Sequence, residues 1–409
     1  PELWSPENPY LYYLTLAMTN GKQVLTAQTK RFGYREFKAV GTHFYLNGKR
    51  IYLFGENLPS VGFNGTTNKD EEKRIANILL GFKNHGYNII RTPHMPIIPL
   101  VLDVADEVGM MVYDEWGWSF SNSLDVQEFE KRNIQEVTEW VYRDYNHPSV
   151  VMWSCGNEVN YGSSEDAYVQ LNKQLVQVRS LEKGGRPASS FSGSASDFGT
   201  KKLEADLLDL HTYIGLGWQP WTKLQEHFNN VFKMDTTTYG INGKLDMPFI
   251  MWECVGFSWG ESTNPNFIVG DIDHYYAYAN RPTNWGDPQG IGFSGCIGLA
   301  AALEPGKGCN YGQHVYGKRI LDLTRYDTRV DGFAPWFQNS NLDASTLWNQ
   351  PVFCGLRNPN GSTVTLRHPF AGRTYPQRFF VVNSSNNAYK NIDVIVFAVD
   401  TRGKSNIIA

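Results

Sequence analysis

From about residue 51 to residue 299 the chain alternates short apolar runs with stretches of helical periodicity, and that order constrains its fold more than any other feature. Strand-like runs occur at Ile51–Phe54, Tyr87–His94, Met110–Tyr113, His147–Ser154, Pro187–Ser192, Leu207–Tyr213, Phe249–Glu253 and Ile291–Leu299. Between them lie helical patterns. Asn68 to Gly86 opens with a capping-box pair, Asn68 and Glu71, and sets Ile75, Ile78, Leu79 and Phe82 on one face before Gly86 stops it. Pro99 to Gly109 follows, then a segment opened by Asp125 and Glu128 that carries the stripe Ile134, Val137, Val141, and then Tyr168 to Leu181. Strand and helix in strict alternation predict a parallel sheet, and eight such strands predict a (β/α)₈ barrel rather than an open doubly wound sheet. No Gly-x-Gly-x-x-Gly follows the first strand, which disfavours a dinucleotide fold.

Two of these strands end on a carboxylate. His147-Pro148-Ser149-Val150-Val151-Met152-Trp153-Ser154-Cys155-Gly156-Asn157-Glu158 is an apolar, β-branched run that breaks into small and polar residues, and Pro248-Phe249-Ile250-Met251-Trp252-Glu253 repeats the shape. Barrels of this class place their chemistry at the C-terminal ends of the strands. Two carboxylates there can flank one glycosidic bond, as the acid and the nucleophile of a glycosidase must.

The flanks read differently. Residues 1 to about 37 alternate apolar and polar positions and turn at Asn20-Gly21, a hairpin pattern that predicts the end of an immunoglobulin-like β-sandwich. A second hairpin, His43–Leu46 and Ile51–Phe54 across Asn47-Gly48, is expected to lead directly into the first barrel strand. Beyond about 340 helical periodicity stops, and Phe379–Asn383 with Ile392–Phe397 predict the opening of a C-terminal β-sandwich. The expected division is therefore 1–37 sandwich, 38–340 catalytic barrel, and 341–409 linker and sandwich. The chain opens Pro-Glu-Leu-Trp, which reads as an internal start, so that a targeting segment could have been lost.

Charge excludes some partners. A formal net charge of -4 with no concentrated basic stretch argues against nucleic acid, and no apolar run is long enough to insert in a membrane. Five cysteines with no zinc-ligand spacing give neither a full disulfide framework nor a metal site, and Cys155, Cys254 and Cys296 read as small buried residues, with a pair bridged in an oxidising compartment as the alternative. Twelve tryptophans within 14% aromatic content suit stacking on sugars and suit a large β-rich core equally well.

Trp4-Ser5-Pro6-Glu7-Asn8-Pro9-Tyr10-Leu11-Tyr12, Leu46-Asn47-Gly48-Lys49, Arg91-Thr92-Pro93-His94, Asp114-Glu115 and Asn146 to Glu158 together resemble glycoside hydrolase family 2, which includes β-galactosidases, β-glucuronidases and β-mannosidases. The resemblance implies a TIM barrel between β-sandwiches, preceded by a sugar-binding domain that lies outside this sequence, and a retaining, exo-acting β-glycosidase. By the same resemblance Glu158 is the general acid/base and Glu253 the nucleophile. Glu158 must hold a proton at the start of the cycle and Glu253 must not. Asn157 matches the residue that binds the sugar 2-hydroxyl, and Tyr213 one that donates to the nucleophile, with His211 a neighbouring sugar contact. Arg91 is expected to orient the carboxylates near the nucleophile and His94 to reach a sugar hydroxyl. Asn57 is a further match at the first strand's tip. Asp114 and Glu115 read as supporting partners or a cation site, a buried pairing with arginine being the simpler account. Trp252, Trp259 and Trp285 are candidates for stacking, against burial in the core.

The sequence departs from the family in places that bear on substrate. Gly295-Cys296-Ile297-Gly298 ends the expected eighth strand where the family has a pocket tryptophan, and the Asn-x-Lys triplet of glucuronidases is absent between Gly298 and Ile320. Trp116-Gly117-Trp118 follows the Asp-Glu pair where metal-dependent galactosidases place ligands, so no required metal and no cofactor are expected. The leading expectation is a β-galactosidase acting on oligosaccharide or polysaccharide ends. Alternatives are a β-glucuronidase or β-mannosidase with the same mechanism, and a carbohydrate-binding relative without turnover. The substrate class points to the periplasm or the outside of the cell, with the cytoplasm as the alternative. A homo-oligomer is compatible with these readings.

Overall fold

The computed structural model describes residues 1–59, 63, 65–119, 126–159, 165–193, 205–211, 247–254, 318, 321–335, 342–346, 348–360, 373–395, 397–399 and 405–407. Near the N-terminus the antiparallel pair β1 (Tyr12–Asn20) and β2 (Gln23–Phe32) turns through Gly21 at φ 61°, as the Asn-Gly signal requires. Arg31 on β2 ties the hairpin to the barrel through Asp103 and Glu107. A three-stranded sheet follows: β3 (Phe37–Val40), β4 (His43–Leu46) and β5 (Lys49–Ile51). The second arm of this hairpin does not run on into the barrel as the sequence suggested. Tyr52 separates β5 from β6 (Leu53–Asn57), and the two belong to different sheets.

The barrel is built from β6 and seven further strands: β7 (Ile89–Arg91), β8 (Met111–Glu115), β9 (Val150–Ser154), β10 (Ala188–Ser189), β11 (Leu208–Leu210), β12 (Phe249–Trp252) and β13 (Val330–Ala334). They form one parallel sheet in the order β10-β9-β8-β7-β6-β13-β12-β11. Between β10 and β11 the junction is made by Asp206, whose amide donates to Ala188 O at 3.0 Å while its Oδ2 accepts from Ala188 N at 3.0 Å. Every residue of β6 to β13 is buried, as expected of strands covered on both faces. Each large apolar side chain so buried contributes about 1.5–3 kcal/mol.

The eighth strand lies elsewhere than expected. β13 pairs with β12 on one side and β6 on the other, so Val330–Ala334 closes the sheet, and Ile291–Leu299 falls outside the described residues. Local composition hides this strand, because Asp331 and Gly332 read as a turn. Both have structural work. Asp331 accepts from Phe44 N at 2.9 Å and Arg50 Nη2 at 2.8 Å and lies 3.0 Å from His43 Nδ1, clamping the small sheet to the barrel floor. At Gly332 a Cβ would sit 2.6 Å from Leu53 Cβ, so the close pairing with β6 demands glycine.

Among the helices, α1 (Lys69–Asn84) is capped by Asn68, whose side chain accepts from Glu71 N, and it buries Ile75, Leu79 and Phe82. α2 (Pro99–Val108) begins on proline and ends at Gly109 with φ 74°. α3 (Val126–Asp144) and α4 (Glu165–Leu181) cover the next strands. After the barrel, β14 (Val352–Arg357) pairs with β15 (Arg378–Asn383), and β16 (Phe397–Val399) with β17 (Ser405–Ile407). The expected strand Ile392–Phe397 is therefore shifted: Ile392 to Ile395 are irregular and the strand starts at Phe397. No described helix is long and apolar enough to cross a membrane.

Candidate active site

Arg91, the last residue of β7, organises the C-terminal mouth of the barrel. It is fully buried, and its guanidinium makes a two-pronged ion pair with Glu115 at the end of β8, Nε to Oε2 at 2.8 Å and Nη2 to Oε1 at 2.9 Å. Nη1 donates to Glu253 beyond β12 and, at 3.2 Å, to Asn57 at the end of β6, while Nη2 also donates to Asn157 beyond β9. A planar fork with five N–H donors suits this fourfold attachment. Burial opposes Arg91's charge, yet Glu115 and Glu253 more than offset it and the group is held ionised. Glu115's own pKa is raised, burial outweighing the pull of Arg91.

The two strand-end glutamates converge beside this fork. Glu158 and Glu253 each bring a carboxylate oxygen to a cluster with His211 in which all three polar atoms lie within 4.8 Å of one another. Glu253's side chain is 5% exposed and Glu158's 35%, so one carboxylate is enclosed and the other faces the mouth. Both have left-handed backbones, Glu158 at φ 44° and Glu253 at φ 66°, conformations that cost about 1–3 kcal/mol each and are concentrated at functional sites. Gly156 allows the first of these turns, because a Cβ there would stand 2.5 Å from Trp118 O.

His211 follows β11 and lies between the glutamates. Nδ1 is 2.7 Å from Glu158 Oε1 and 3.3 Å from Glu253 Oε2, and Nε2 is 2.8 Å from Ser192 Oγ. Ser192 in turn donates to Asp209 Oδ2 at 2.5 Å, and Tyr113 OH donates to the same oxygen at 3.1 Å. Burial works against a charged imidazole, but the Glu253 and Glu158 carboxylates prevail and raise His211's pKa above the ordinary value. Burial also raises Asp209's, with His211 and Arg91 opposing. Gly193, at φ 86°, leaves room for this group: a Cβ would lie 2.7 Å from His211 Nδ1 and 2.9 Å from Glu158 Cγ.

Of the residues singled out from sequence, Asn57, Arg91, Glu115, Asn157, Glu158, His211 and Glu253 meet here. His94 stands at the edge, with Nε2 3.8 Å from Glu253 Oε1. The amide nitrogens Asn57 Nδ2 and Asn157 Nδ2 are buried and take no hydrogen bond among the described residues, each carbonyl oxygen being turned to Arg91. Two expectations give way. Asp114 points out of the barrel, because neighbours along a strand face opposite sides, and it accepts from Thr92 Oγ1 at 3.1 Å and from Trp140 Nε1 at 2.8 Å. Burial and the nearby Asp144 push its pKa well above the usual range. Trp252 is fully buried inside the barrel, edge-on to Tyr113 with ring centroids 5.6 Å apart and against Gly55, so it belongs to the core and not to a sugar-stacking face. Tyr213, Trp259, Trp285 and Cys296 lie outside the described residues. Cys155 is a buried free thiol and Cys254 is buried.

Sequence reading missed Ser192, Gly193, Asp209 and Tyr113. A usable signal existed for one: Asp209 and His211 are two apart on a strand and so share a face. The departure from the family's pocket tryptophan rests on Ile291–Leu299 as the eighth strand. With the eighth strand at β13, the residue two beyond its end is Trp336, itself outside the described residues. Among the described residues, two groups of histidine and carboxylate atoms come close enough to share a cation, Glu158, His211 and Glu253, and Asp103, Asp106 and His147. In each a guanidinium, Arg91 or Arg31, already supplies the positive charge.

Residues 37–186 match the family model described as glycosyl hydrolases family 2, TIM barrel domain, and residues 1–35 match the model described as glycosyl hydrolases family 2. A protein of Formosa agariphila named "Putative beta-glucuronidase" is 33% identical over 195 residues, which is 46% of this chain and 18% of that protein. A β-galactosidase of Lactococcus lactis is 34% identical over 209 residues, 48% of this chain and 20% of its own length. The chain thus spans about a fifth of the curated relatives it matches. Among solved structures, a family 2 β-galacturonidase from Eisenbergiella tayi shares the fold with TM-score 0.59 at 22% identity, over 82% of this chain and 52% of that one.

Proposed function

This chain carries the domains of glycoside hydrolase family 2, and from that premise we propose that it forms the catalytic barrel of a retaining, exo-acting β-glycosidase, with Glu253 as nucleophile and Glu158 as general acid/base. The observation that carries the reading is the approach of the two strand-end carboxylates, oxygens of Glu158 and Glu253 lying within 4.8 Å. Retaining enzymes hold their carboxyl groups about 5–5.5 Å apart, whereas inverting enzymes leave about 6.5–9.5 Å for a water.

In this mechanism Glu253 attacks the anomeric carbon as the bond to the leaving oxygen breaks and Glu158 gives that oxygen its proton. Water then attacks the same carbon, the ester to Glu253 breaks, and Glu158 takes the proton from water. Exposure agrees with the roles: the enclosed glutamate attacks, and the one at the mouth meets the leaving group and water. Arg91 holds the nucleophile and the Asn157 amide in one frame, so that Asn157 Nδ2 is oriented to donate to the sugar 2-hydroxyl.

For the sugar we favour a β-galactoside. The curated relatives are named as β-galactosidases and β-glucuronidases, which leaves a neutral sugar or a uronate. The sequence has no lysine between Lys318 and Lys390, and Lys390 and Lys404 follow Ala388 and Arg402 at the first triplet position, so after β13 it carries no Asn-x-Lys triplet of the kind associated with uronate binding in the family. That favours the neutral sugar. The test is hydrolysis of aryl β-galactoside, glucuronide, mannoside and glucoside by the full-length protein and its Glu253→Gln variant. Turnover of the galactoside, abolished in the variant, is the expected result; exclusive turnover of the glucuronide would overturn the sugar assignment.

A further inference from the structure

The hydrogen-bond chain behind Glu158 fixes where a proton must sit. Asp209 Oδ2 accepts from both Ser192 Oγ and Tyr113 OH, and Ser189 Oγ lies 2.5 Å from Tyr113 OH. Ser192 has one hydroxyl hydrogen, and an ionised Asp209, which also accepts from Tyr113 and is favoured in that form by His211 and Arg91, takes it. Ser192 Oγ can therefore only accept from His211 Nε2, 2.8 Å away, so Nε2 carries a hydrogen. Nδ1 then faces Glu158 Oε1 at 2.7 Å. Two lone pairs cannot meet stably at that distance, and the contact requires one proton, held either as Glu158–H···Nδ1 or as Nδ1–H···Glu158.

We propose that His211 is a positioning residue that shares this single proton with Glu158, its tautomer set by Ser192 and Asp209, so that the proton delivered to the leaving group comes from the His211–Glu158 pair. This deepens the acid/base assignment of Glu158 and rests on it. The cycle balances. On glycosylation the C1–O bond breaks, a bond forms from C1 to Glu253, and the pair loses its proton to the leaving oxygen. The emptied pair now sets the Nδ1 lone pair against an ionised Glu158, a repulsion relieved when Glu158 takes a proton from the attacking water. Hydrolysis restores both Glu253 and the pair. The described charged groups facing His211 agree with a bound proton: Glu158 from beyond β9, Glu253 from beyond β12 and Asp209 from its own strand favour it, while Arg91 on β7 opposes it. His94 stands on the far side of Glu253.

The experiment compares His211→Asn with Glu158→Ala and the unaltered full-length protein, on an alkyl β-glycoside that needs acid assistance and on a dinitrophenyl β-glycoside that does not, across pH. General-acid assistance contributes about 10²–10⁴-fold, so His211→Asn should lower kcat/KM on the alkyl glycoside by about 10²-fold, with little effect on the dinitrophenyl substrate. The basic limb of its pH profile should move to lower pH. Equal losses on both substrates with an unmoved limb would mean that the histidine only fills space, and would overturn the proposal. Should His211→Asn not fold, Ser192→Ala, which keeps the imidazole and removes its tautomer lock, is expected to shift the same limb; an unshifted limb there overturns it too. Glu158→Ala separates the two levels. If it lacks the selective loss, the acid assignment fails and this inference with it; if it shows the loss and His211→Asn does not, only the role of His211 fails.

Discussion

Arg91 and Glu115 form a two-pronged ion pair with neither side chain exposed, and the same guanidinium reaches Glu253, Asn57 and Asn157. One side chain on β7 thereby fixes the tips of four other strands. Removing one partner of a buried pair typically costs about 3–5 kcal/mol, and Arg91→Ala would leave Glu115 and Glu253 without their cation. We expect that loss in denaturant unfolding. Arg91→Lys keeps the charge but cannot reproduce the fork, so it should retain more stability than alanine while kcat/KM still falls by about 10²-fold or more.

Asn157 supplies a second test of the same frame. Contacts to the sugar 2-hydroxyl that strengthen in the transition state supply several kcal/mol, so Asn157→Ala should lower kcat/KM on an ordinary glycoside by about 10²-fold or more. On a 2-deoxy glycoside the variant and the unaltered protein should differ little. Equal losses on both substrates would show that Asn157 acts on the scaffold and not on the hydroxyl.

At the opposite end of the barrel, Asp331 joins β13 to the small sheet through Phe44 N, His43 and Arg50. Asp331→Ala strands those donors and should cost about 3 kcal/mol in unfolding free energy. Activity per folded molecule should be unchanged, since the site lies at the other ends of the strands.

His147 gives a pH dependence of stability. Burial opposes its charge, but the Asp106 carboxylate 2.7 Å away overrides burial and its pKa is raised. A histidine whose folded pKa exceeds the ordinary value of about 6.5 contributes stability that is fully present below that pH and is lost as pH rises through the folded value. His211 has the same sign. Melting temperature should therefore decline from mildly acidic into alkaline buffer, and His147→Asn should flatten part of that decline. An unchanged slope in the variant would contradict the assignment.

Much of this architecture was legible because its signals are local. The Asn68–Glu71 cap, the Gly109 stop and the apolar run into Asn157-Glu158 each declare themselves within a few residues. β13 did not, because the features that make it a strand are distant: Asp331 is satisfied by residues 43 to 50, and Gly332 is required by Leu53. The same holds at the site. Glu158 and Glu253 stood out as strand-end carboxylates, but the link from Tyr113 through Asp209 and Ser192 to His211 joins three strands and, beyond the two-residue spacing of Asp209 and His211, leaves nothing local to read. Trp252 and Asp114 were misplaced for simpler reasons. Asp114 precedes Glu115, and strand alternation turns it out of the barrel. Trp252 faces inward but packs below the mouth against Tyr113 and Gly55, one residue short of the left-handed turn at Glu253.

The proposed mechanism requires a covalent bond between Glu253 and the sugar. Incubation of the full-length protein with a 2-deoxy-2-fluoro-β-galactosyl fluoride, followed by mass spectrometry of the digested protein, should show one fluorosugar adduct on the peptide containing Glu253. An adduct on another carboxylate, or turnover of β-galactosides with inversion at the anomeric carbon and no adduct, would contradict it.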